Sequence, residues 1–242
     1  MPPLFEEIDS QASVLGEISL RRRRIPVFGD RDIYEVKLGD EFLMSSMFVE
    51  AEEALSTLGL AAVQGDNLSV VVGGLGLGYT AVAALKDARI TELLVIDALD
   101  AVIGWHKNEL VPLGQILNAD TRNHYVLGSF FDLSIESGKG FDPNDASKKF
   151  DAILLDIDHA PTEFLCAANA SFYTTKNLAL MTEQLKPKGV FGMWSQNLPE
   201  PSFEALLKTV FESVDSHVVS FYNPFQGCES TNSVYVCVKA AV

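Results

Sequence analysis

Val70-Val-Val-Gly-Gly-Leu-Gly-Leu-Gly78 carries an unbroken apolar run straight into four glycines. A β-branched run without alternation, over 68–72, is how a strand reads when a parallel sheet is covered on both faces. The glycines let the backbone turn tightly and approach a ligand, and the helix expected over 79–86 would point its first N–H groups at that ligand. Gly74, Gly76 and Gly78 give G-x-G-x-G, whereas the dinucleotide fingerprint has its third glycine one position later, where Tyr79 stands. Gly73, Gly74, Gly76 and Gly78 are therefore candidate ligand contacts, with a turn built only for packing as the competing reading.

Downstream, strand and helix alternate. Strands are expected over 93–96, 124–127, 152–155 and 190–194, and helices over 101–108 and 177–185. A helix over 203–211 leads to two last strands, 217–222 and 233–238. The loop between them is too short for a helical crossover, so that pair should be antiparallel. The whole predicts an α/β protein with a doubly wound, mostly parallel, seven-stranded sheet of the methyltransferase-type Rossmann-like class, closed by an antiparallel C-terminal hairpin.

Upstream, 15–47 reads as short strands broken by Gly16, Pro26, Gly29-Asp30 and Gly39-Asp40. Ile33-Tyr-Glu-Val-Lys-Leu38 and Glu41-Phe-Leu-Met44 form a hairpin pattern, and a helix is expected over 48–58. The division expected is a small N-terminal strand, hairpin and helix region over 1–60, then a nucleoside-binding domain over 61–242. The polar stretch 138–149 reads as a surface loop.

The chain has 242 residues, 48% of them hydrophobic, and a net charge of −15. That allows a sizeable core and disfavours a general nucleic-acid binder, because the surface repels phosphate. It suits a cationic substrate. The basic run 21–24 reads as a solvated strand edge that discourages aggregation. Cys166, Cys228 and Cys237 lack C-x-x-C spacing, and the four histidines are not at ligand spacing, so no metal is expected. No apolar run approaches the ~18–20 residues of a membrane span. The first residues lack signal-peptide order, so the expected location is cytoplasmic.

Asp97 ends the second core strand, 24 residues beyond Gly73, close to the ~20 at which an acid meets ribose hydroxyls. A helix-capping role is the alternative there, although Asp100 suits the cap better. The run Phe150-Asp-Ala-Ile-Leu-Leu-Asp-Ile-Asp-His-Ala-Pro161 places Asp156, Asp158 and His159 at a strand's carboxyl end, where open α/β sheets bind ligands. Two acids and an imidazole there could position or deprotonate an amine; hydrogen bonding within the loop is the plainer role for Asp158 and His159. Trp194 could line an acceptor pocket or fill the core. His106, on a predicted helix, reads as a surface or packing residue.

These three segments, in this order, resemble the spermidine synthase family (polyamine aminopropyltransferases), a branch of the class I S-adenosylmethionine-dependent methyltransferase fold. The resemblance runs from about Ile33 to Val238. It includes a lead-in hairpin and helix over 35–55 and Ser-Phe-Tyr-Thr-Thr … Leu-Lys-Pro-Lys-Gly-Val over 171–190. It implies Asp97 on the donor ribose and Asp156 as the catalytic acid, assisted by Asp158 and His159. It also implies Ser129 and Phe130 beside the adenine, where the family has G-D-G. Glu50 or a neighbouring register stands where the family's Y-H-E run meets the polyamine. The family's glycine-loop aspartate aligns with Gly76, and its D-S-S-D-P has become Asp-Ile-Asp-His-Ala-Pro. A homodimer is part of what the resemblance implies.

The function expected is transfer of an alkyl group, aminopropyl or methyl, to a small amine acceptor such as a polyamine. The donor would be S-adenosylmethionine or its decarboxylated form. A non-catalytic nucleoside-binding protein on the same fold is the second reading. A nicotinamide-dependent oxidoreductase is third, weakened by the glycine spacing.

Overall fold

In the computed structural model, which describes residues 4–25 and 31–241, the chain begins with a four-stranded antiparallel sheet in the order β1-β2-β3-β4. Its strands are β1 (Phe5–Ser13), β2 (Gly16–Arg24), β3 (Asp32–Leu38) and β4 (Glu41–Ser45). The hairpin expected from the sequence is β3–β4, and two further strands precede it. The turn signals at Pro26 and Gly29-Asp30 lie outside the described residues. β1 has no apolar alternation because charge holds it in place. Glu7 meets Arg21 at 3.1 Å, Glu6 pairs with Arg22, and Asp9 accepts from the Trp105 indole N–H at 2.6 Å. The basic run is therefore no sheet edge. β2 lies between β1 and β3, and Arg23 and Arg24 pair with Glu35 and Asp32 on the other side.

α1 (Glu50–Ala61) then leads into the main sheet: β5 (Leu68–Gly73), β6 (Ile90–Asp97), β7 (Asn123–Leu127), β8 (Phe150–Leu155), β9 (Leu185–Ser195), β10 (Ser213–Asn223) and β11 (Cys228–Val238). The order is β10-β11-β9-β8-β5-β6-β7. β5 through β9 pair in parallel, and β11 pairs antiparallel with both β9 and β10. This is the seven-stranded, mostly parallel sheet with an antiparallel last pair that the sequence predicts.

The unbroken valine run is explained by its two covers. Val70 and Val72 face one core with Leu55, Ala81 and Trp105, while Val71 faces a second with Phe150, Ile153 and Phe191. All three valines are fully buried, worth roughly 1.5–3 kcal/mol each. The first core is covered by α1, α2 (Tyr79–Leu85) and α3 (Asp100–Lys107), with Ile18 and Leu20 of the N-terminal sheet joining it. Two short helices escaped the sequence, α4 (Gly114–Ala119) and α5 (Phe130–Ile135). The second core lies under α5, α6 (Thr175–Thr182) and α7 (Pro201–Leu207) and is strongly aromatic. Phe130 stacks on Phe141 at 5.0 Å, and Phe191 on Phe211 at 5.8 Å.

From β5 the chain moves outward through β6 to β7, then returns to lay β8 on the other side of β5. The direction of strand order reverses there, and the crevice outside the carboxyl ends of β5 and β8 is where this architecture takes ligands.

Candidate active site

A cleft of about 640 Å³ opens at that reversal point, within the usual range for small-molecule sites. Its floor is the junction of β5 and β8. The Asp156 N–H donates to the Gly73 carbonyl at 2.8 Å, and the chain crosses so closely that a Cβ on Gly74 (φ +95°) would stand 2.0 Å from the Asp156 carbonyl oxygen. No side chain fits there. Gly74 and Gly76 line the cleft. Gly73 and Gly78, expected to do the same, are buried behind it against the Phe130 ring and His106 respectively. Gly76 (φ +46°) lies under Met44, whose sulfur accepts the Leu77 N–H at 3.0 Å; a Cβ at 76 would run into that sulfur. The N-terminal sheet thus roofs the loop.

His106 is fully buried, not a surface residue. Its Nε2–H donates to the Gly76 carbonyl at 2.9 Å, and burial pushes the imidazole down to about 4, so the ring is neutral and pins the loop from behind.

Asp97 stands where the sequence placed it, at the carboxyl end of β6 and facing the cleft. The N–H groups of Leu75 and Leu99 donate to its two oxygens at 2.9 and 2.8 Å. Burial raises its pKa and those backbone donors oppose the rise. It joins the glycine loop to the start of α3, and each oxygen retains a lone pair. Leu99, not Asp100, is the N-cap residue of α3. Ser129 and Phe130 line the same end; the Ser129 hydroxyl caps α5 by accepting the Asp132 N–H at 3.2 Å.

Across the floor, Asp156 has one side-chain donor, the Thr80 hydroxyl at 2.6 Å. Glu52 of α1 lines the cleft beside it, close enough to feel the Asp156 charge. Burial raises both, and the Asp156 charge pushes Glu52 further, so Glu52 reaches about 8 and Asp156 about 6. Two buried carboxyls so placed resist ionising together.

Two expected site residues, Asp158 as an assistant to Asp156 and Glu50 at the polyamine, are placed otherwise. Asp158 is buried outside the cleft, where it accepts from Leu165 N–H and Asn169 Nδ2 at 2.8 Å and from the Tyr173 hydroxyl at 2.7 Å. It ties the loop after β8 together, the plainer of its two sequence readings. Glu50 is exposed and accepts the Val49 N–H; the acid that α1 turns into the cleft is Glu52. The spacing held that signal, since Glu52 shares a helical face with the buried Leu55, Ser56 and Gly59. His159 lines the cleft, with Nε2 3.1 Å from Glu41. Trp194 also lines it, while its indole nitrogen is buried with no partner among the described residues.

Among the described residues no group of three or more His, Cys, Asp or Glu side chains is placed to hold a metal ion, and no helix is long and apolar enough to cross a membrane. No protein-family model and no curated protein matches the chain. Among solved structures it is similar to a spermidine synthase in complex with the transition-state analogue AdoDATO, at TM-score 0.70 and 17% identity over 98% of this chain and 74% of that one. It is also similar to the spermidine synthase of Thermotoga maritima, at TM-score 0.69 and 16% identity over 98% of this chain and 73% of that one. The chain has the spermidine-synthase-like fold.

Proposed function

We propose that the protein transfers an alkyl group from a sulfonium nucleoside, S-adenosylmethionine or its decarboxylated form, to an amine. The observation that carries this is the sharing of one cleft by Asp97, held by backbone N–H groups, and a carboxyl pair raised toward neutrality. In this reading the ribose hydroxyls bind Asp97, the nucleoside lies over Gly74 and Gly76, and Ser129 and Phe130 border the base. The sulfonium carbon then points toward Asp156.

The chemistry asks little beyond placement, because a sulfonium is already a good leaving group. The amine attacks as its neutral form. An N–C bond forms as the C–S bond breaks, the sulfur keeps the electron pair and leaves as a thioether nucleoside, and one proton passes from nitrogen to Asp156. A carboxylate near 6 can attract a protonated amine and also take its proton at neutral pH. Glu52 holds the pair's other proton and so limits the charge buried there.

Calorimetry with methylthioadenosine, S-adenosylmethionine, its decarboxylated form and NAD tests the donor site. Mass spectrometry of donor–amine mixtures then tests transfer. A nucleoside sulfonium that binds and appears as a thioether with an alkylated amine is the expected result. Binding of NAD in its place overturns the proposal.

A further inference from the structure

We propose that the amine taken by this cleft is a monoamine with a flat apolar body, an arylalkylamine, held between the carboxyl pair and an aromatic wall. This rests on the transfer reading above and names its acceptor class. The wall comes from two elements. Phe48, in the lead-in to α1 just before its N-cap Val49, lines the same cleft as Glu52. Phe221 and Phe225 come from the β10–β11 ribbon, with ring centroids 5.3 and 6.3 Å from that of Phe48. All three rings line the cleft, as does Trp194.

The ribbon is built to reach this place. β11 pairs with β9 only as far as Ser233, while β10 and β11 pair on to Asn223 and Cys228, so the ribbon outruns the sheet at its carboxyl end. At its tip Phe225 stays 57% exposed although its ring meets Phe48. Large apolar side chains clustered at the mouth of a cleft mark a contact surface.

Charge decides what that surface takes. Five carboxyl side chains line the cleft among the described residues: Glu35, Glu52, Asp97, Asp132 and Asp156. Glu35 is paired with Arg23, which lines the cleft too. Asp97 has both oxygens on backbone N–H groups, and Asp132 lies in the first turn of α5 beside Ser129. Glu52 and Asp156 remain, side by side in the cleft, where burial and their mutual repulsion oppose both being ionised at once. One ammonium is matched. The second ammonium of a linear diamine would lie against the rings, which bring no carboxylate of their own, and an unpaired charge there is costly. An aromatic body gains from the same rings by offset or edge stacking.

The test titrates 2-phenylethylamine and putrescine, with and without saturating methylthioadenosine, into the unaltered protein and into Phe225→Ala and Phe221→Ala/Phe225→Ala. The first variant changes one exposed side chain and guards against misfolding of the second. Phenylethylamine should bind at least tenfold tighter than putrescine. The double variant should lose about tenfold for phenylethylamine alone, with methylthioadenosine affinity unchanged. Tighter putrescine binding, phenylethylamine binding that ignores both rings, or methylthioadenosine binding with no phenylethylamine binding overturns the inference while leaving the donor site standing. Ring-dependent phenylethylamine binding without methylthioadenosine binding supports this inference and sinks the donor reading alone.

Discussion

The two ends of the cleft bury a carboxylate with different numbers of hydrogen-bond donors. At one end Asp97 is gripped by two backbone N–H groups from separate segments, which fix its position and oppose the rise that burial causes. At the other, Asp156 has a single hydroxyl donor and a second carboxyl beside it, and both acids are raised by burial. A carboxylate surrounded by donors is suited to hold a neutral hydroxyl ligand. One short of donors is suited to hold or take a proton. Asp158, two residues further on, shows the third outcome: three donors and no access to the cleft make it a structural anchor.

The largest expected effect is at the proton-handling end. Asp156→Asn keeps the shape and removes the charge, so turnover with an accepted amine should fall ~100-fold or more, measured in steady-state kinetics. Unchanged turnover would reduce Asp156 to a strand-end acid. At the binding end, Asp97→Ala should weaken methylthioadenosine by about 2 kcal/mol, the scale of charge-assisted hydrogen bonds.

Asp158→Ala sharpens the contrast from outside the cleft. It strands three donors and should cost about 1–3 kcal/mol of stability by denaturant unfolding. Donor affinity of the folded fraction should stay the same.

The smallest effect is on pH dependence. Glu52 and Asp156 are raised in the folded protein, so the unfolded chain ionises first as pH rises. Their contribution to stability is present below about pH 4, the ordinary carboxylate range, and is lost as pH climbs through about 6 and about 8. Glu52→Gln removes one of these titrations. It should raise the melting temperature by a few degrees at pH 8 and leave it unchanged at pH 4. A variant less stable than the parent at pH 8 would mean that Glu52 is paired to a cation.

Much of this was legible in the sequence because buried parallel strands announce themselves. The valine run, the glycine loop and the strand-end acids Asp97 and Asp156 need only linear spacing to be read. β1 was hidden because cross-strand charges, not apolar alternation, hold it. α5 was hidden because Phe130-Phe-Asp-Leu-Ser-Ile135 is under two turns long and buries adjacent residues. Glu52, Thr80 and the ring wall depend on α1, α2 and the C-terminal ribbon meeting over the sheet, which no local pattern encodes. The pinning of Gly76 by His106 has the same origin.

The most direct test of the divided cleft is methylthioadenosine calorimetry on three proteins at one pH: the parent, Asp97→Ala and Asp156→Asn. The parent and Asp156→Asn should bind alike while Asp97→Ala binds ~30-fold more weakly, the equivalent of about 2 kcal/mol. Equal affinity in all three, or a loss confined to Asp156→Asn, would contradict it.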